Sequence, residues 1–532
     1  VEVYPNLFYI SWKYEGANST LVHMFNPSPQ EVEELLQMRL VGFHNRKYDN
    51  HILYARYMGF DNAAIYALSQ DIINSKDFKT RFVEAYNLSY ADVYDFISKK
   101  QSLKKYELEL GIRHMEMDIP WDEPVPEEKW SLVAEYCDND VLATEAVWNA
   151  RKQDFAARQI LSDLSGLTVN DGNRAHATRI MFGKNRSPQN KFNYTSLADG
   201  KVYNGLNIED RISKVSFPGY IYNYGKSTYK NIDVGEGGFV YAEPGMYKNV
   251  VVLDIASMHP SSIIELDLFG EYTKTFKDIL DARLAIKHGD FSKARKMLGG
   301  KLAPYLENED EAAGLANALK LIINSVYGFT AASFPHPFRD DRNKDNIVAK
   351  RGALFMVDLL EAVQAQGYTV AHIKTDSIKI PDFTPEIVDF VIEFGKKYGY
   401  NFEIESVYDR MCLVNNAVYI ARKAQTDSST PINSLWEAVG AQFQQPYVFK
   451  YLFSKQPVEF RDLCETKSVT TSMYLDMNER FDDDEEHDYK FVGRIGVFCP
   501  ILPNNGGGVL LRKKDDNYHA VTGTKGYRWL ES

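Results

Sequence analysis

Four consecutive apolar residues, Val250 to Leu253, run directly into an acid, Asp254. An unbroken apolar run of this length reads as a strand covered on both faces. A carboxylate at the end of such a strand is costly to bury unless a counter-charge or hydrogen bonds meet it. Beyond it, Ser257, the His259-Pro260 break and Ser261-Ser262 read as a turn into a helix N-terminus. A carboxylate beside free backbone N–H groups suits a metal ion and a phosphate together. Taken alone, an aspartate that ends a strand is more often a turn or a cap.

Two further stretches change that balance. Tyr368 to Pro381 alternates like two short strands around Lys374-Thr375-Asp376, which places Asp376 at a hairpin tip. In Lys320 to Gly328, helical spacing puts Lys320, Asn324 and Tyr327 on one face, while Leu319, Ile322 and Val326 point elsewhere. A cation, an amide and an aromatic on one stripe suit a helix that grips a triphosphate and packs against a base pair.

The three stretches resemble motifs A, B and C of the family B DNA polymerases. They read Asp254-x-x-Ser257-x-x-Pro260-Ser261, Lys320-x-x-x-Asn324-Ser325-x-Tyr327-Gly328 and Thr375-Asp376-Ser377, in the family's order. The resemblance implies an α/β multidomain chain: an RNase H-like exonuclease domain and a right-hand polymerase, with a palm of split β-α-β topology, helical fingers and a thumb, similar to phage enzymes. It implies template-directed DNA synthesis from primer-template DNA and deoxyribonucleoside triphosphates. Asp254 and Asp376 would hold two Mg²⁺ ions. Lys320, Arg283 and Lys287 would neutralise the phosphates. Ser257, Met258, His259, Asn324 and Tyr327 would line the nucleotide site. His259 stands where the family has a tyrosine that excludes a 2′-hydroxyl, and Lys374 stands where motif C has its first aspartate. Two other segments depart from the pattern. Gly235-Glu-Gly-Gly-Phe-Val240 resembles the family's Tyr-x-Gly-Gly with glycine for tyrosine, and Ala417-Val-Tyr419 resembles Lys-x-Tyr without its lysine.

Near the start, Asn45-x-x-x-Asp49 and Tyr136 four residues before Asp140 resemble exonuclease motifs II and III, and Val1-Glu2-Val3 resembles the tail of motif I. By resemblance Glu2, Asp49 and Asp140 are metal ligands, for two Mg²⁺ ions at a complete site, and Tyr136 orients the attacking water. A fourth carboxylate would precede Val1, so weak or no 3′–5′ exonuclease activity is expected of the chain as it stands. Because Val1 is not an initiator methionine, the chain is expected to begin inside a longer one.

At about 150 residues per domain, 532 residues suggest three or four domains. The expected order is exonuclease over 1–150, a connecting region over 151–233, palm over 234–275, fingers over 276–343, palm again over 344–430 and thumb over 431–532. Four scattered cysteines without a CxxC argue against zinc or a disulfide framework and suit a reduced compartment, read as cytoplasm, the host's if the chain is viral. No apolar run approaches the length of a membrane span. A net charge of −12 argues only on average against nucleic acid. Candidate phosphate-contacting clusters are Lys350-Arg351 and Arg512 to Lys514, followed by Lys525, Tyr527, Arg528 and Trp529, while Asp482 to Glu486 reads as an exposed acidic loop. The short gaps between the three polymerase motifs leave little room for insertions, so priming from a nucleic-acid 3′ end rather than a terminal protein is expected. The rival readings are a non-catalytic DNA-binding relative and a dedicated exonuclease. A reverse transcriptase would want two adjacent aspartates at Asp376.

Overall fold

The computed structural model describes residues 1–75, 80–205, 207–426, 430–443, 446–478, 486–502 and 504–532. They form two compact units, residues 173–462 and residues 1–172 with 463–532, each of mixed α/β structure as expected. Of the acidic run, Asp482 to Glu485 lie outside the described residues.

The unit of residues 173–462 is built on a seven-stranded antiparallel sheet. In chain order its strands are β1 (Val240–Ala242), β2 (Gly245–Ile255), β3 (His372–Lys374), β4 (Ser377–Ile380), β5 (Phe402–Asn415), β6 (Val418–Lys423) and β7 (Trp436–Val439). Across the sheet they run β1-β3-β4-β2-β5-β6-β7. β2 is central, and Val250 to Leu253 are buried, as the apolar run predicts. Leu413 to Ala421 span the junction of β5 and β6, which turn back at Asn416-Ala417. The stretch from Ile432 to Phe453 opens with one 3₁₀ turn, supplies edge strand β7 and then a short helix, Pro446–Phe449.

Five helices matter to the site: α1 (Met258–Glu265), α2 (Thr273–Lys287), α3 (Glu309–Thr330), α4 (Ile347–Ala365) and α5 (Pro385–Lys396). α4 is buried along most of its length, including Lys350 and Arg351. Lys350 donates to the carbonyls of Val234 and Gly235 at 2.8 Å each, and Arg351 donates to the Tyr398 carbonyl at 2.8 Å. A buried ammonium is tolerable when such acceptors meet it. The Lys350-Arg351 pair is therefore an internal tie, which corrects its reading as a phosphate-contacting cluster.

In the other unit, strands Glu2–Tyr4, Leu7–Trp12 and Val22–Phe25 form an antiparallel sheet, with Leu7 to Ile10 buried. Residues 463–532 form a five-stranded antiparallel sheet that groups with residues 1–172. Arg494 N–H donates to the Glu116 carboxylate at 3.0 Å, and a Cβ at Gly493 would fall 2.3 Å from Glu116 Cγ. Trp529 is buried and so is no surface contact, while half-buried Arg528 donates to the Gly506 carbonyl at 3.0 Å.

Gly352, inside α4, locks α4 to α1. A Cβ there would lie 2.5 Å from Met258 Sδ. Alanine is the better helix former by about 1 kcal/mol, so the clash decides the sign. Gly352→Ala is expected to destabilise by about 1–3 kcal/mol, and by clearly less in a Met258→Ala background. Equal costs in both backgrounds, measured by denaturant unfolding, would show that the Met258 contact is not the cause.

Candidate active site

The β3–β4 hairpin turns through Thr375 and Asp376. Lys374 pairs with Ser377, and Ser377 pairs in turn with Asp254 on β2. The Ile255 N–H donates to the Asp376 carbonyl at 3.0 Å, which binds the end of β2 to the hairpin tip. Asp254 and Asp376 thus lie at one edge of the sheet, on β2 and at the β3–β4 tip. The tip is strained: Thr375 has φ 56°, a left-handed conformation unfavourable for a β-branched residue. It is held by its N–H, which donates to the Phe239 carbonyl at 3.0 Å. Gly238 packs beside it, where a Cβ would approach Thr375 Cγ2 to 3.1 Å. The Gly-rich segment therefore supports the hairpin tip, a role the sequence alone did not reveal.

A third acid joins the pair. Between β2 and β5 the register slips: Val252 pairs with Ser406 but Leu253 pairs with Ile404, leaving Glu405 as the extra residue of a β-bulge. Burial, then Asp376, then Glu405 push Asp254 up to about 7, with Lys379 opposing them. Burial and Glu405 also hold Asp376 above the usual carboxylate range. Glu405 has no motif to announce it, because its position depends on a bulge that only strand pairing creates. Among the described residues no three His, Cys, Asp or Glu side chains gather closely enough to cage an ion unaided. The donor set nonetheless fits a divalent cation: oxygen ligands, converging negative charge and a strand edge open to a ligand.

The turn after β2 places Ser257 in the left-handed region, φ 62°, at the start of α1. Met258 turns inward against Gly352. His259 points instead towards α3, where its ring stacks on Tyr327, centroids 4.0 Å apart at 7°. Its Nδ1 is buried with no hydrogen-bond partner among the described residues, and burial lowers its pKa to about 4. The imidazole is therefore neutral at physiological pH. On α3, Lys320 and Asn324 are exposed and Tyr327 half-buried, while Leu319, Ile322 and Val326 are buried. The expected stripe exists because this helix seals its opposite face into the core. α2 packs on α3. On α2, Arg283 is half-buried and Lys287 exposed, with Lys287 3.9 Å from the Glu403 carboxylate.

The second constellation lies in the other unit. Glu2 is on the first strand, Asp49 opens helix Asp49–Tyr57, and Tyr136 and Asp140 are one turn apart on helix Trp130–Ala150. Glu2, Asp49 and Asp140 line one cavity of about 640 Å³ with Asn45, Tyr48 and Trp148. Burial, with Asp140 and Asp49 nearby, raises Glu2 to about 7. Lys104, which the sequence did not single out, pairs with Asp140 at 2.5 Å and with buried Glu107 at 3.2 Å. Its ammonium lies 4.3 Å from the Tyr136 ring centroid. Burial would lower its pKa, but Asp140 and Glu107 outweigh burial and hold it above its ordinary value.

No helix among the described residues is long and apolar enough to cross a membrane. No family model matches the chain. A solved structure of the family B DNA polymerase from the hyperthermophilic archaeon Pyrobaculum calidifontis aligns over 98% of this chain and 74% of that one, with 12% identity and a TM-score of 0.44. Over 206 residues, 34% of this chain, the sequence is 27% identical to DNA polymerase II of Escherichia coli (strain K12). The chain spans 25% of the length of that relative. The expected resemblance to DNA polymerases is borne out by the curated relative.

Proposed function

We propose that the chain is a template-directed DNA-dependent DNA polymerase that extends a primer 3′ end with deoxyribonucleoside triphosphates. The observation that carries this reading is the junction of Asp254 and Asp376 at one sheet edge, tied through the Ile255 N–H, with Glu405 beside them. In this reading the seven-stranded sheet is the palm and the α2–α3 pair the fingers. Similarity to phage enzymes rests on the sequence resemblance alone.

Asp254 and Asp376 would hold Mg²⁺, which when bound supplies charge to the phosphates and acidifies the primer 3′-hydroxyl. The remaining work falls to the chain's own residues. Lys320 on α3 and Arg283 and Lys287 on the adjoining α2 would neutralise triphosphate charge. The backbone N–H groups at the start of α1 would bind phosphate oxygens. The stacked His259–Tyr327 pair presents a flat wall, against which base and sugar would rest. Asn324 is exposed on the same helix face, within reach of the incoming nucleotide.

The first unit is read as an exonuclease-type domain with weak or no 3′–5′ exonuclease activity in this chain. Glu2, Asp49 and Asp140 line its cavity and Tyr136 lies one helical turn before Asp140, the set expected of a 3′–5′ exonuclease site that accepts a frayed primer end.

Primer extension on a defined template with Mg²⁺ and four nucleotides tests the polymerase reading. Templated extension is expected, and Asp254→Ala or Asp376→Ala should reduce it by about 10²–10³-fold or more, the loss typical of one essential electrostatic group. Undiminished extension by either variant, with folding intact, would refute the assignment.

The raised pKa of Asp254 makes a separate prediction. Its folded value, about 7, lies above the ordinary 3.8. The folded state therefore binds the proton more tightly, and stability falls as pH rises from about 4 to 7. Metal-free Asp254→Asn should melt higher than the parent at pH 8, with the gap closing near pH 4. Mg²⁺ should raise the parent's melting temperature and leave the variant's nearly unchanged. A gap that is constant with pH would contradict this account.

His259 bears on sugar selection. Removing its ring from the wall, in His259→Ala, is expected to raise ribonucleotide relative to deoxyribonucleotide incorporation by about tenfold, and His259→Tyr should leave it unchanged or lower it. An unaltered ratio in single-nucleotide incorporation would remove His259 from the gate.

A further inference from the structure

Lys379 lies on β4, paired with Val252 of β2 and His372 of β3. In this register its side chain shares a face with Asp254, two residues along β2. It is 5% exposed. Among the described residues its ammonium is in no ion-pair contact with a carboxylate, and its nearest recorded partner is the Tyr419 ring, 5.3 Å away. Burial lowers its pKa, against the opposing influence of Glu405, Glu437 and Asp254. Of these, Glu437 is already engaged by Lys423 at 3.3 Å. A lysine so nearly buried and so poorly paired is expensive. What it faces at longer range is the carboxylate group of the candidate active site.

We propose that Lys379 is a positioning residue of that site: a built-in counter-charge that keeps Asp254, Asp376 and Glu405 from retaining a divalent ion by themselves, so that the ion is held firmly only together with nucleotide phosphates. The proposal rests on the reading of Asp254 and Asp376 as metal ligands. Its sign follows from charge alone. A fixed ammonium repels a divalent ion twice as strongly as it attracts one carboxylate at the same distance. Removing it therefore favours the ion more than it favours a competing proton on Asp254. The absence, among the described residues, of a ready three-ligand cage agrees with an ion site completed by substrate.

The test is Mg²⁺ titration of the whole chain without DNA or nucleotide, read as the ion-dependent rise in melting temperature, with Mn²⁺ binding by calorimetry as a second readout. Lys379→Met should lower the half-saturating Mg²⁺ concentration by at least about threefold, Lys379→Gln should act in the same direction, and Lys379→Arg should match the parent. The Mg²⁺ midpoint of primer extension should move the same way. A purely structural role would lower the melting temperature without moving the Mg²⁺ midpoint, and that result overturns the proposal. If Asp254→Asn abolishes the Mg²⁺ response while Lys379→Met leaves its midpoint unchanged or weaker, the role of Lys379 falls and the carboxylate reading stands. If Asp254→Asn responds to Mg²⁺ like the parent, both fall.

Discussion

Mutual repulsion among carboxylates at one sheet edge is the constraint on which the larger unit depends. Asp376 and Glu405 raise the proton affinity of Asp254, and Glu405 raises that of Asp376. Left to themselves, like charges at a partly desolvated edge would separate. Several costly local features hold them together. Thr375 is kept in a left-handed turn, Gly238 makes room beside it, and a bulge in β5 releases Glu405 from the regular pairing. Local strain of this kind persists where the surroundings over-determine the conformation. Here the surroundings are a seven-stranded sheet with Val250 to Leu253 buried at its centre and the largely buried helix α4.

The remainder of the site is arranged around that edge without sharing its strain. α3 presents Lys320, Asn324 and Tyr327 because its other face is buried, an outcome of ordinary amphipathic packing. Its contact with α1 is a flat stack of Tyr327 on a neutral His259. A charged imidazole would be costly in that buried place. Buried Lys350 anchors the Val234–Gly235 backbone, and the segment following it supports the Thr375 turn. The helix that read as a possible DNA contact thus acts on the site from behind.

The first unit follows the same logic with different parts. Glu2, Asp49 and Asp140 share a cavity, and Lys104, anchored by buried Glu107, meets Asp140 there. In both units a lysine that no motif marks lies among the acids that motifs do mark. Charge balance within a carboxylate cluster depends on neighbours drawn from other strands and helices. Spacing along the chain carries no record of it.

What the sequence determined by itself is what periodicity and motif spacing can encode. The apolar run of β2 required a central strand ending in Asp254, the alternation around Asp376 required a hairpin, and the helical spacing of Lys320, Asn324 and Tyr327 required a common face. Each is a property of a few consecutive residues, so the composition of the site was legible early. Glu405, Lys379 and Lys104 were not legible, nor was the internal role of Lys350 and Arg351, nor the grouping of residues 463–532 with the first unit. A bulge alters register by one residue, burial of a lysine depends on which strands flank it, and domain grouping depends on contacts between distant segments. Only the tertiary structure decides these, because pairwise interactions between residues far apart in sequence leave no local pattern.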